Sequence, residues 1–245
     1  MRHSLRSLLV AFLVLSAHSY PALADVYAVC AGITDYPGTQ NDLHLPARDA
    51  ATMASLYRKD KTAHVVLLTD SQATTAGITG QMAALYAQAG DDDLVVFFFS
   101  GHGTQGAFCA YDGLLTYGQV RTAMACSACR NKMIFADACF SGKIRDNNRH
   151  VAHKDLNVML FLSSRSDETS IERSNMKNGL FTACLNRALR GGADADRNRI
   201  ITAKELFTAV SRGVIQMSGG RQHPVMWGNF ADDMPVAVLT PRTKK

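Results

Sequence analysis

The chain has 245 residues, with 26 Lys plus Arg against 21 Asp plus Glu, a formal charge of +5. At 47% hydrophobic and 19% charged residues, it has ordinary globular composition, which excludes disordered, collagen-like and coiled-coil chains. Lys and Arg are scattered, with no basic run beyond Lys244-Lys245, so nothing calls for nucleic acid. Six cysteines are too sparse here for a disulfide-framework miniprotein.

In chain order, Arg2 and Arg6, the apolar run Leu8 to Ala17 and the triplet Ala22-Leu23-Ala24 read as a secretory signal peptide. The run is well short of the roughly 20 residues that span a bilayer. Residues 1–24 are therefore expected to be cut away near Ala24, and 25–245 to form one domain, periplasmic or secreted, without a membrane span. Loss of Arg2 and Arg6 lowers the charge from +5 to +3.

Val26 to Ile33 is a near-continuous apolar run, as in a strand buried on both faces. A turn-rich stretch leads to an Ala-rich helix over Ala47 to Tyr57, then a strand over His64 to Leu68. Thr74-Thr75 cap a helix running to about Ala89. Asp91-Asp92-Asp93 are read as a solvated strand entry. The strongest strand signal, Leu94 to Phe99, follows. A short helix is expected over Gly118 to Met124, strands over Met133 to Ala136 and Val158 to Leu162, and helices over Leu180 to Leu189 and Glu205 to Val214. Val225 to Phe230 is expected as an edge strand. Strands alternating with helices imply a mostly parallel sheet covered on both faces. The fold class is α/β.

In such sheets ligands bind beyond the carboxyl ends of strands. Two of those ends carry reactive groups. Leu94 to Phe99 runs into Ser100-Gly101-His102-Gly103, and Met133 to Ala136 runs into Asp137-Ala138-Cys139-Phe140-Ser141-Gly142. The glycines permit tight turns and close approach. If the two strands are neighbours, imidazole and thiol share one crevice, and a His can tune a thiolate and shuttle its proton. His102 and Cys139 are the candidate catalytic pair. Taken singly, each has a plainer reading: a solvated His in a turn, and a packed Cys.

Four motifs in this order, Gly32-Ile33-Thr34-Asp35-Tyr36, Leu45-Pro46-Ala47-Arg48-Asp49-Ala50, Ser100-Gly101-His102-Gly103 and Asp137-Ala138-Cys139-Phe140-Ser141-Gly142, resemble the caspase-like cysteine peptidases. They are nearest to the bacterial metacaspase-like branch, the orthocaspases. The similarity extends through Leu160 to Ser164 and Gly179 to Thr182 to about Val214. The resemblance implies the caspase-haemoglobinase fold, a mostly parallel six-stranded sheet sandwiched between helices. It implies a cysteine endopeptidase with Cys139 as nucleophile, His102 serving the proton transfers, and the backbone N–H groups of Gly103 and Cys139 as oxyanion hole. It also implies cleavage after Arg or Lys, with Asp49, Asp137 and Ser100 lining the first specificity pocket. A carboxylate pair suits a guanidinium, because charge-assisted bidentate bonds are strong and planar. The plainer alternatives are a first-turn acid on the helix dipole for Asp49 and a loop-orienting turn acid for Asp137. The implied partner is a protein or peptide substrate with basic residues, and a monomer is favoured. Gly142 to Lys154 holds Lys143, Arg145, Arg149 and Lys154, where such an enzyme could process itself or where the loop is simply solvated.

Asp194 to Glu205 fits the twelve-residue EF-hand pattern, with Asp194, Asp196, Asn198, Ile200, Thr202 and Glu205 as candidate calcium ligands. Arg199 stands where the pattern has glycine, in a left-handed position that is costly for other residues. The alternative is a structural turn with Thr202 as N-cap and Glu205 closing a capping box. No cofactor is required for the chemistry, and calcium is a candidate effector. An alternative function is a calcium-responsive binding or scaffold protein on the same fold, without turnover. Cys126-Ser127-Ala128-Cys129 has no second pair to make a zinc site. A structural disulfide is the preferred reading, with Cys109 as another partner for one of the two. Cys30 and Cys184 read as packed thiols.

Overall fold

A computed structural model describes residues 25–138, 158–164 and 176–239. The expected signal peptide, Cys139 and the Gly142 to Lys154 loop lie outside the described residues.

The chain opens with strand β1 (Val26–Gly32), helix α1 (Pro46–Tyr57), strand β2 (His64–Thr69), helix α2 (Thr75–Tyr86) and strand β3 (Leu94–Gly101). Three short strands follow, β4 (Gly103–Thr104), β5 (Ala107–Ala110) and β6 (Gly113–Thr116), then helix α3 (Tyr117–Met124). Strands β7 (Asn131–Ala138) and β8 (Val158–Leu162) lead to helix α4 (Leu180–Arg187), strand β9 (Ile200–Thr202), helix α5 (Ala203–Ser218), and strands β10 (Val225–Trp227) and β11 (Pro235–Val238).

All six strands expected from the apolar runs enter one sheet, in the order β10-β8-β7-β3-β1-β2. Every neighbouring pair in it is parallel except β10 against β8. Central strands are sealed on both faces, which is why they read as continuous apolar runs. Phe97, Phe98 and Phe99 are all fully buried, and each such side chain stabilises the fold by about 1.5–3 kcal/mol.

Alternation along each strand divides the core in two. Val29, Val95, Phe97 and Ile134 pack with α2 and α3 residues such as Ile78, Met82 and Val120. Cys30, Val96, Phe98 and Phe135 pack with Met53 of α1, Phe181 of α4 and Leu206 of α5. By the same period of two, Ser100 and Asp137 lie on the side of the sheet that faces α1 and α4.

The helices begin as their sequences direct. Pro46 stands in the first turn of α1, where its missing N–H leaves no bond unmade. Thr74 caps α2 and Thr116 caps α3. Two features had no clear sequence signal. The segment β4-β5-β6 forms its own antiparallel sheet, and β9 pairs antiparallel with β11.

The cysteines differ from expectation at one place. Cys126 and Cys129 are both free thiols, as is Cys109. Cys129 is turned into the protein, where its Sγ donates to the Asp93 carbonyl at 2.7 Å, while Cys126 is exposed. The two side chains thus face different surroundings, and the expected disulfide is not formed. Cys30 and Cys184 are buried.

Candidate active site

The order of strands reverses between β1 and β3, since β2 lies to one side of β1 and β3, β7 and β8 to the other. Such a reversal opens a crevice at the carboxyl ends of the strands. Ile33, just past β1, donates its N–H to the Ser100 carbonyl at 3.1 Å and holds the crevice floor together.

His102 sits on the rim, half-buried, one residue past β3. Its backbone N–H donates to the Tyr36 hydroxyl at 2.9 Å, and that hydroxyl donates to the Cys109 carbonyl at 3.1 Å. The Tyr36 and His102 rings are 5.0 Å apart and tilted by 44°. Gly101 makes this approach feasible: its φ is +155°, and a Cβ there would lie 2.7 Å from the Tyr36 hydroxyl oxygen. The His102 Nε2 is 2.8 Å from the backbone carbonyl oxygen of Asn41. A carbonyl only accepts, so Nε2 carries the proton and Nδ1 is left as the basic nitrogen. Gly103 begins β4, in register with Phe108.

Cys139 lies outside the described residues, but the residues leading to it do not. β3 and β7 are neighbours in parallel, with Ser100 paired to Asp137 and Gly101 to Ala138. The residue before His102 is therefore paired with the residue before Cys139. The adjacency of the two strands, on which the candidate pair depends, is present.

Asp49, Ser100 and Asp137 come together behind this rim, all buried. Ser100 Oγ donates to Asp49 Oδ2 at 3.1 Å. Asp49 Oδ1 accepts from the Gly179 N–H at 3.0 Å and from Asn178 Nδ2 at 2.8 Å. Asn178 Nδ2 also donates to Thr52 Oγ1 at 2.9 Å. Asp137 Oδ2 accepts from the backbone N–H of Thr182 at 3.2 Å and from its hydroxyl at 2.9 Å. Gly179 lies against both acids: a Cβ there would meet Asp137 Oδ2 at 2.5 Å and Asp49 Oδ2 at 3.1 Å. Burial, and next the negative charge of Asp137, push the Asp49 carboxyl up to about 8, against the pull of its hydrogen bonds to Asn178, Gly179 and Ser100. Two acids sharing a dry site cannot both ionise cheaply. A cation placed between the two acids would ease that cost. Asp49 does stand in the first turn of α1, but its carboxylate is spent on the β3 and α4 sides of the crevice.

The loop from Asp194 to Glu205 closes on itself. Asp194, Asp196 and Glu205 bring oxygens within 4.8 Å of one another, the one such group of three among the described residues. Arg199 donates its N–H to Asp194 and Asn198 donates to Asp196. Thr202 and Glu205 form a capping box at the start of α5. Arg197 and Arg199 both take positive φ, 62° and 72°, so Arg199 adopts the left-handed turn without being glycine. Glu205 Oε2 already accepts twice from Thr202, while the other carboxylate oxygens offer lone pairs that suit a hard cation; the turn itself is closed by its own N–H groups. Ile200 serves as the start of β9 and Thr202 as the cap; Asn198 Oδ1 accepts from the Ile200 N–H.

Sequence reasoning missed four contributors: Asn41, Tyr36 as a hydrogen-bonding group, Asn178 and Thr182. Asn41 acts through a backbone carbonyl, which leaves no mark on residue identity. Tyr36 and Thr182 lay inside recognised motifs, and their hydroxyls were the available signal.

A family profile described as the caspase domain matches residues 25–234. The crystal structure of protein GSU0716 from Geobacter sulfurreducens is similar in fold, with a TM-score of 0.68 at 16% identity, covering 88% of this chain and 100% of that one. No curated relative matches the chain.

Proposed function

This chain belongs to the caspase-domain family of cysteine peptidases, and from that premise we propose that it is an endopeptidase of the metacaspase-like kind, cleaving after Arg or Lys. The observation that carries the specificity is the buried pair Asp49 and Asp137, both lying against Gly179. A guanidinium entering between them offsets the burial and the Asp137 charge that raise the Asp49 carboxyl, and its planar donors match carboxylate oxygens.

In the proposed reaction, Cys139 gives its thiol proton to Nδ1 of His102, whose Nε2–H is held on the Asn41 carbonyl. The thiolate attacks the carbonyl carbon, and the oxyanion is met by the N–H groups of Gly103 and Cys139. The imidazolium then passes its proton to the leaving amine as the C–N bond breaks. Water, deprotonated by His102, hydrolyses the thioester and restores the thiol.

Peptides ending in Arg, Lys or Asp before a fluorogenic leaving group test this, under reducing conditions, with calcium and with chelator. Turnover of the Arg and Lys peptides, lost in Cys139→Ala, is expected; Asp preference overturns the pocket assignment, and no turnover in either condition overturns the peptidase. The chelator arm addresses calcium as effector through the Asp194 to Glu205 loop, and the scaffold reading with it, since a scaffold keeps its effect without Cys139. The proposal carries export after cleavage near Ala24 and a monomeric working form. No helix among the described residues is long and apolar enough to cross a membrane.

A further inference from the structure

Asp70 follows the last residue of β2, and its backbone takes a φ of +49°. That left-handed conformation is uncommon outside glycine, and Asp and Asn are among the residues that accept it best. Thr69 is paired with Gly32, so Asp70 stands at the carboxyl edge of the sheet beside the end of β1. There its Oδ1 accepts from the backbone N–H of Thr34 at 2.8 Å and from that of Asp35 at 3.0 Å. These two bonds fasten the start of the loop between β1 and α1. The rest of the loop is tied to the same place. Leu43 donates its N–H to the Thr34 carbonyl at 2.9 Å, and Ala47 donates its N–H to Thr34 Oγ1 at 2.9 Å. Thr34 thus spends its N–H, its carbonyl and its hydroxyl on closing the base of the loop. Above that base, the Tyr36 N–H donates to Asp42 Oδ1 at 3.1 Å.

The loop so closed touches His102 twice. The Tyr36 hydroxyl accepts the His102 backbone N–H at 2.9 Å, and the Asn41 carbonyl holds Nε2 at 2.8 Å. One bond fixes the main chain of the histidine and the other fixes the tip of its ring. A backbone carbonyl holds a ring only as firmly as the loop that carries it is held. β2 lies on the far side of β1 from β3, which leads into His102, so Asp70 anchors the loop from across the switch point. We propose that Asp70 is a positioning residue for His102: its side chain pins the base of the loop, so that the Asn41 carbonyl keeps the imidazole in one orientation with Nδ1 as the basic nitrogen. The role in the reaction rests on the peptidase reading above, while the effect on the ring does not. Nothing in the local sequence marks this role, since Asp70 reaches His102 through the backbone of a loop more than 30 positions earlier in the chain.

The test compares two variants of the full chain. Asp70→Asn keeps an acceptor oxygen and a residue that accepts the positive φ, whereas Asp70→Gly keeps the φ and loses the acceptor. The first readout is the His102 Nε2 proton, followed by NMR well below each melting temperature and well above the ordinary imidazole range. Held on a carbonyl, it exchanges slowly with water. In Asp70→Gly its exchange is expected to quicken by at least about tenfold, as local opening becomes easier, and in Asp70→Asn to stay within about twofold of wild type. The second readout is turnover of an Arg peptide. A misplacement of about 1 Å can cost about 100-fold, so kcat is expected to fall by at least about tenfold in Asp70→Gly, with KM within about twofold, and to be kept in Asp70→Asn. Wild-type exchange in Asp70→Gly overturns the proposal. So does an Asp70→Asn variant as impaired as Asp70→Gly, because the acceptor is then not what matters. A fall in kcat with exchange unchanged also overturns it, since a general loss of stability would do the same. Absence of turnover in the wild type removes the peptidase reading, and the exchange readout still decides whether Asp70 holds His102.

Discussion

Asp49→Asn replaces a buried carboxyl by a neutral group of the same shape. Its Oδ1 still accepts from Gly179 and Asn178, and its amide still meets Ser100, whose hydroxyl turns to accept. In the wild type, burial first and the Asp137 charge second push the Asp49 carboxyl up to about 8. In the unfolded chain it returns to about 3.9. The folded state therefore keeps a proton that the unfolded state has released, so the stabilising contribution is complete at low pH and is lost as pH rises towards about 8. The slope is about 1.4 kcal/mol per pH unit. Between about pH 6 and pH 8 the wild type is expected to lose about 2–3 kcal/mol relative to Asp49→Asn, or about 5–10 °C in melting temperature for a domain of this size. The variant is expected to lose at least about 100-fold in kcat/KM for Arg peptides, because a buried amide does not repay the desolvation of a guanidinium. Wild-type kcat/KM for those peptides is expected to rise with pH up to about 8, because the proton must leave before the cation enters. Melting curves of both proteins across this range, with matched peptide assays, are the measurement. A melting-temperature difference that stays constant with pH refutes the shared-proton account of the pair.

Gly179→Ala puts a methyl group where the contact distances to Asp137 and Asp49 are 2.5 and 3.1 Å; Arg-peptide turnover is expected to fall by at least about tenfold while Cys139 alkylation persists. Tyr36→Phe strips the partner from the His102 N–H and from the Cys109 carbonyl. About 1–3 kcal/mol of stability is expected to be lost by denaturant titration, and kcat with it, since the His102 backbone is no longer held. Glu205→Ala removes the capping box of α5. A loss of about 1 kcal/mol is expected, measured in chelator, because the box closes on N–H groups and not on an ion.

The sheet was legible because its central strands are apolar runs of the length a doubly covered strand needs, and Leu94 to Phe99 could hardly be anything else. The end strand was the least certain in extent: expected to reach Phe230, it stops at Trp227, where Gly228 turns with a φ of +138°. The segment from Gly103 to Thr116 was illegible for the opposite reason. Its strands run two to four residues, too short for alternation to stand out. At the site, Asp49, Ser100, His102 and Asp137 were found through their motifs, whereas Asn178 and Asn41 were not. Asn178 meets Asp49 across 129 positions of sequence, and no local pattern records so distant a partner. Residue spacing suggested that Cys126 would bond to Cys129, but the inward turn of Cys129 to the Asp93 carbonyl depends on β3 and β7 lying side by side.

The long reach between Asp49 and the start of α4 also sets a clock during synthesis. Gly179, the residue that seals the acid pair, follows Asp49 by 130 positions. At roughly 5–20 residues per second, the ribosome needs on the order of 6–26 seconds to supply it after Asp49 has been made. Until then Asp49, and later Asp137, stand in the nascent chain without the Gly179 backbone that lies against them. A peptidase built this way is harmless to its neighbours on the polysome, because the acid pair cannot be enclosed before nearly three quarters of the chain exists.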